Sequence, residues 1–402
     1  MALQKIPGRA IQLDSQANSD IMYFNGTDWV RLEKGVADEV LTVNEAADAP
    51  EWGEPACTFQ GAVRGYCGGG YLGKVPDTSG TPFYGKQIQV ISFITDGNST
   101  DIGDLTTRHR GASGCSSSTH GYVIGGVDYT TITGASINRL ERFSFASATS
   151  ANAADWADMT SNQRIGSPSA SSATHGFTLG GKNVSGGNLG TTDVIDKFPF
   201  ASQTNATDWA DATVAKNGGA GCSSITHGYS LGGVNWDVSL GNVETNQIEK
   251  YPFASQTNSV DVADITLTRQ GPAGVSSCDD AYAVGGMTVG TNPGNSAPLW
   301  DRTTIDKHSF ASGGNSTSHG DLPLESSAGA HTGAGMSGIT HGYHAGGIYS
   351  HNIHNHQYSR EQIEKFSYAS NVTASDVGDL VQVGTSITPN FGMAGPCSNL
   401  QF

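Results

Sequence analysis

The residues best suited to chemistry are twelve histidines, and their spacing sorts them into groups. His120, His175, His227 and His341 each follow a threonine and precede a glycine. Imidazoles ligate metals and carry protons near neutral pH. A shared metal would need these four to converge, but each belongs to a separate copy of the same turn. Hydrogen bonding that stabilises the turn is the expected role. A second group is local: His341, His344, His351, His354 and His356 fall within sixteen residues. In the His354-Asn355-His356 triplet, side chains two apart on an extended chain project to one side, so both imidazoles could ligate one ion. The competing reading is a solvated loop whose charge follows pH. His354 and His356 are the candidate metal ligands, and no other cofactor is expected.

Acidic residues recur as pairs: Asp101/Asp104, Asp155/Asp158, Asp208/Asp211, Asp261/Asp264 and Asp376/Asp379. Asp-x-x-Asp could hold calcium. Because the pair returns at one place, just before an expected outer strand, turn capping explains it more simply. Acid and base also stand side by side at Glu141-Arg142, Asp196-Lys197, Glu249-Lys250, Asp306-Lys307 and Glu364-Lys365. Neighbours on a strand face opposite ways and cannot pair with each other, so cross-strand or blade-to-blade partners are expected. The cysteines Cys57, Cys67, Cys115, Cys222, Cys278 and Cys397 form no CxxC pair and read as buried free thiols. No nucleophile elbow, phosphate loop, zinc motif or catalytic dyad is present, and a non-enzymatic protein is expected.

The elements that must position these residues come from a repeated phrase. THGYVIGG (Thr119 to Gly126) returns as THGFTLGG, THGYSLGG, DDAYAVGG and THGYHAGG, with a degenerate first copy, VRGYCGGG, at Val63 to Gly70. The aromatics before the glycine pairs are 52 to 61 residues apart. A period near fifty suits a four-stranded propeller blade. In the second copy, Gly111 to Ser118 reads as a small-residue strand, Thr119-His120-Gly121 as a tight turn and Tyr122 to Ile124 as an apolar strand. LERFSF (Leu140 to Phe145) reads as a third strand, followed by an outer segment. IDKFPF, IEKYPF, IDKHSF and IEKFSY repeat the third strand. Pro199 and Pro252 must then sit at a strand end or bulge. The expected fold is all-β: a six-bladed propeller over residues 56–402. The last segment, 392–402, resembles a blade's first strand and is expected to close the ring. Residues 1–55 lack the repeat and are expected to form a separate segment with a hairpin around Asn25-Gly26, an attachment element or, in the competing reading, a packed N-terminal extension of the propeller.

The blade pattern resembles the kelch repeat. Arg164, Tyr122/Phe177, the glycine pairs, Phe143/Phe198 and Trp156/Trp209 fill the kelch slots. Tryptophan is missing after the third strand in four blades, and the THG turn is particular to this chain. Galactose-oxidase-like chemistry on a kelch ring would need a copper site of Tyr and His with a crosslinked Cys, which has no unambiguous counterpart. The stretch VLTVNEAADAPEWG (Val40 to Gly53) looks like an element of bacteriophage tail-fibre and other virion proteins, and the THGY-GG repeats are similar to structural proteins of phages of aquatic bacteria. The resemblance implies a tail or capsid appendage, present in several copies or as a homo-oligomer. Residues 1–55 would bind other virion proteins, and the protein would be localised to the virion after synthesis in a host cytoplasm.

Composition agrees with that expectation. Lys and Arg total 21 against 37 Asp and Glu, a net charge of −16, which disfavours nucleic acid and anionic membranes. No segment has the apolar length of a membrane span, and MALQKIPGRAIQLD lacks the apolar core of a signal peptide. The copies differ most after the glycine pairs. The loops there carry Tyr71, Tyr84, Tyr129, Trp236, Trp300, Tyr349 and Tyr358 among small polar residues. That composition suits recognition of a host-surface glycan or a neighbouring protein. A carbohydrate-active or oxidising enzyme and a cellular kelch-type interaction protein are the competing classes.

Overall fold

The structure is a computed structural model of the 402-residue chain. It describes residues 20–35, 40–43, 48–53, 63–74, 82–128, 135–146, 150–162, 165–183, 190–237, 241–289, 299–323, 332–351 and 356–381. The chain divides into two compact units, Met1–Cys57 and Thr58–Phe402.

The first unit contains two hairpins, Ile21–Phe24 with Trp29–Leu32 and Val40–Val43 with Pro50–Gly53. The first turns where Asn25-Gly26 predicts. Gly26 takes φ +97°, and the Asn25 side chain accepts the backbone N–H groups of Thr27 and Asp28 at 2.9 and 2.8 Å.

The second unit is an all-β, six-bladed propeller. Blades 2 to 6 are four-stranded antiparallel sheets in chain order. Blade 2 runs Ser113–Ser116, His120–Ile124, Arg139–Ser144 and Ala154–Asp158 from the axis outward. Blade 1 has three described strands, Arg64–Gly68, Gln87–Ser92 and Thr100–Asp104. The expected closing segment, 392–402, lies outside the described residues. Closure is nevertheless visible between the outer strand of blade 6, Ser375–Asp379, and blade 1. Val381 N–H donates to Gln89 Oε1 at 2.9 Å, Ser99 N–H to the Asp379 carbonyl at 2.9 Å, and Lys365 pairs with Asp96 at 2.9 Å.

The core is divided into six parts, each between two neighbouring blades. An aromatic of one blade's second strand meets an aromatic that ends the next blade's third strand. Tyr122 stacks on Phe200 at 4.9 Å, Phe177 on Phe253 at 4.8 Å, Tyr282 on Tyr368 at 5.1 Å and, across the closure, Tyr343 on Phe93 at 4.3 Å. These pairs combine large apolar burial with favourable ring geometry.

The glycine of THG has its reason in the same place. Gly121 is directly opposite Phe143, and a Cβ there would run into that ring. Blade 5 carries Ala281 instead, and its opposite residue is the smaller ring of His308. The turn itself differs slightly from expectation. It closes from Ser117 N–H to the His120 carbonyl at 2.9 Å, and His120 already belongs to the second strand. Pro199 and Pro252 end their strands, as their missing donors require.

Inner strands pack backbone to backbone. A Cβ on Gly274 would meet the Gly221 carbonyl, and one on Gly335 the Gly274 carbonyl. A rung of serines ties the same strands: Ser171, Ser223, Ser276 and Ser337 each accept a backbone N–H from the preceding blade at 2.9–3.1 Å.

Candidate functional site

Every glycine pair has both residues at positive φ, from +61° to +121°. Few other residues adopt two such angles in succession. The pair is therefore a corner that ends the second strand in five blades, bends the continuous strand His227–Asp237 in blade 4, and leads into a second tier of short strands. The expectation of loops there is corrected in part, because five of the six segments contain hairpin strands. Blade 1 carries Tyr71–Lys74 with Pro82–Tyr84, blade 5 Met287–Val289 with Leu299–Asp301, and blade 6 Ile348–His351 with His356–Ser359. Blade 2 adds Val127–Asp128 with Ala135–Ser136, and blade 3 a single bridge between Lys182 and Thr191. Blade 4 extends two blade strands into the tier, His227–Asp237 and Gly241–Pro252. In blades 2 to 5 the tier is tied to the chain entering the inner strand, through Arg110 with Val127, Ile165 with Lys182, Asn217 with Val234 and Gln270 with Met287.

Six of the seven aromatic candidates fall on these hairpins. Tyr71 pairs in register with Tyr84, Tyr349 with Tyr358, Trp300 with Thr288 and Trp236 with Asn242. Strand Leu299–Asp301 lies beside Ile348–His351, and His356–Ser359 beside Tyr71–Lys74. The hairpins of blades 5, 6 and 1 thus form one wall carrying Trp300, Tyr349, Tyr358, Tyr71 and Tyr84, with Trp236 two blades away from blade 6. Tyr129 lies outside the described residues. So does His354; His356 stands opposite His351 in the blade 6 hairpin. No group of three potential metal-ligating residues occurs among the described residues.

The four THG histidines do not converge. Each Nδ1 lies 2.8 Å from the hydroxyl of its preceding threonine, on a separate blade. Burial depresses their basicity, aided by Arg142 beside His120 and Lys197 beside His175. His227, next to Lys250, falls to about 4. The Asp-x-x-Asp pairs lie within the outer strands rather than before them. Asp101 and Asp376 accept the N–H two residues on, at 3.1 Å, as turn-capping groups do. The second aspartate's N–H reaches the next blade, Asp158 to Asn205 Oδ1 and Asp211 to Asn258 Oδ1, each at 3.1 Å.

The acid–base neighbours separate as expected, and both faces of each blade turn out to be covered. Glu141, Asp196, Glu249, Asp306 and Glu364 are fully buried. Four of them are held by a threonine of the preceding blade: Thr106, Thr160, Thr213 and Thr266. Three buried cations join them, which sequence reasoning missed. Arg269 pairs with Asp306, Lys216 lies 3.7 Å from Glu249, and Arg360 pairs with Glu364, which also meets His344 Nδ1 at 2.9 Å. Burial pushes the Lys216 amine down, and Glu249 opposes that shift. The Asp-x-Thr that ends the outer strands of blades 1 to 4 was the available signal for the threonines. These groups are enclosed and face partners within the ring, so they serve the scaffold.

Cys67, Cys115 and Cys222 are buried free thiols, and burial raises Cys115 and Cys222 to about 12. Cys278 departs from expectation because it is exposed. Cys57 and Cys397 lie outside the described residues.

No protein-family model matches the chain, and no curated protein matches it.

Proposed function

We propose that this chain is a non-enzymatic structural protein of a phage virion, a kelch-like tail or capsid appendage. In this reading the first unit anchors the protein to other virion proteins, and the hairpin tier contacts a host-surface glycan or a neighbouring protein. One observation carries the recognition part. The ring repeats nearly identical blades, while the tier beyond the glycine corners differs in every blade and holds six aromatic candidates. Uniform scaffold with localised variation is the arrangement of recognition surfaces built on rigid frames. The buried carboxylates support the non-enzymatic part, since each is enclosed between blades and held by named partners.

Deletion of residues 1–55 should abolish incorporation into purified particles while leaving the propeller folded. Glycan-array binding should then fall in the Trp236→Ala and Trp300→Ala variants. Retained incorporation of the deletion would remove the anchoring role. Unchanged binding of both variants to a confirmed glycan would remove the tier from recognition. Turnover of an oligosaccharide, abolished by a substitution in one hairpin, would replace the reading with that of an enzyme.

A further inference from the structure

The inner strands of blades 2 to 6 line an axial cavity of about 570 Å3, open to one side, within the range of small-molecule sites, roughly 300–1,000 Å3. Most of its wall is glycine, alanine and serine from the inner strands. The chemistry changes where the chain enters those strands. There Arg110 of blade 2, Asn217 of blade 4 and Gln270 of blade 5 line the cavity, joined by Lys182, which follows the glycine pair of blade 3 and bridges to Ile165, and by Thr332 of blade 6. The two charged residues among the described lining are both cations, in a chain of net charge −16. They stand on adjacent blades, and the amides follow on the next two. Asn217 Oδ1 and Thr332 Oγ1 are shielded oxygens with no hydrogen-bond partner.

We infer that this cavity binds a small hydroxylated carboxylate of the sugar-acid class, with Arg110 and Lys182 taking the carboxylate and Asn217, Gln270 and Thr332 taking hydroxyl groups. A guanidinium presents two parallel N–H donors to a carboxylate, and an ammonium adds a third. Side-chain amides and hydroxyls both donate and accept, as a polyol requires. A bare phosphate would use the cations but leave the amide end without a role. Burial lowers the basicity of Lys182. The inference does not depend on a virion role, because the cavity is formed by the inner strands and the base of the tier.

Calorimetric titration of the full chain with glucuronate, glucose and inorganic phosphate tests the inference. Glucuronate should bind saturably, and glucose and phosphate at least about tenfold more weakly, the scale of one lost charge-assisted contact. Arg110→Gln and Lys182→Gln should each weaken glucuronate by a similar factor, and Arg110→Lys should keep part of the affinity. Hydrogen exchange on the unsubstituted protein gives an independent reading: glucuronate should protect the backbone amides of Gly271 and of residues 273–276 on the cavity wall. Absence of saturable glucuronate binding, equal affinity for phosphate, or binding without protection of that wall would each overturn the assignment, as would full affinity in both glutamine variants.

Discussion

Thr160, just past the outer strand of blade 2, donates both its backbone N–H and its hydroxyl to the buried carboxylate of Asp196 in blade 3, at 3.1 and 2.7 Å. The same clasp joins Thr266 to Asp306, at 3.0 and 2.8 Å. Thr160→Val keeps the shape and the N–H but removes the hydroxyl. It should cost about 1.5–3 kcal/mol, the usual worth of a hydrogen bond to a charged group. Urea denaturation with an unchanged slope measures this.

Blade 6 solves the same problem differently. Its carboxylate, Glu364, would look to position 323 for a threonine, but Pro323 stands there with neither N–H nor hydroxyl. Arg360 and His344 fill the place. Arg360→Met should therefore destabilise the protein by about 3–5 kcal/mol, as when one partner of a buried pair is removed. Adding Pro323→Thr should recover part of that loss. Thermal denaturation of the single and double variants gives the comparison, and additive losses would contradict the shared role.

His227 sets a pH dependence. Its folded value of about 4 lies below its ordinary 6.5, through burial first and Lys250 second. Protonation therefore favours the unfolded chain. The stability contributed by the neutral imidazole is present above 6.5 and is lost as pH falls through 4. His120, His175 and His341 shift in the same direction. The midpoint of urea unfolding should decline over that window, and His227→Gln should flatten the decline.

Thr332 sits at φ +57°, where the corresponding residues of blades 2 to 5 are Gly111, Gly166, Gly218 and Gly271 at +61° to +67°. A β-branched residue in that region carries about 1–2 kcal/mol of strain, and glycine's larger unfolded-state entropy offsets about half of its relief. Thr332→Gly should stabilise the ring by roughly 0.5–1 kcal/mol, read as a higher melting temperature.

Gly274 and Gly121 differ in what surrounds them. A Cβ at Gly274 meets the Gly221 backbone, whereas at Gly121 it meets the Phe143 ring. Gly121→Ala should cost about 1–3 kcal/mol and fold. Gly274→Ala should cost more, about 4 kcal/mol or above, because two inner strands must separate to admit it. The order of the two melting temperatures is the check.

Much of the fold follows from the sequence alone. Six phrases at a near-constant period specify six blades, because each copy is one sheet that buries its faces only against its neighbours. The doubled glycines specify a corner, since both residues occupy backbone conformations that side chains disfavour. Asn25-Gly26 specifies its hairpin for the same kind of local reason. What the sequence left open depended on distance along the chain. Asp196 and Thr160 are 36 residues apart, and Gln89 and Val381 are 292 apart. No local pattern states that such pairs meet; closure of the ring brings them together. The wall of hairpins from blades 5, 6 and 1 was likewise hidden, because it joins segments from both ends of the propeller. Local backbone preference and repeat spacing chose the parts, and only the circular packing of those parts decided which residues became neighbours.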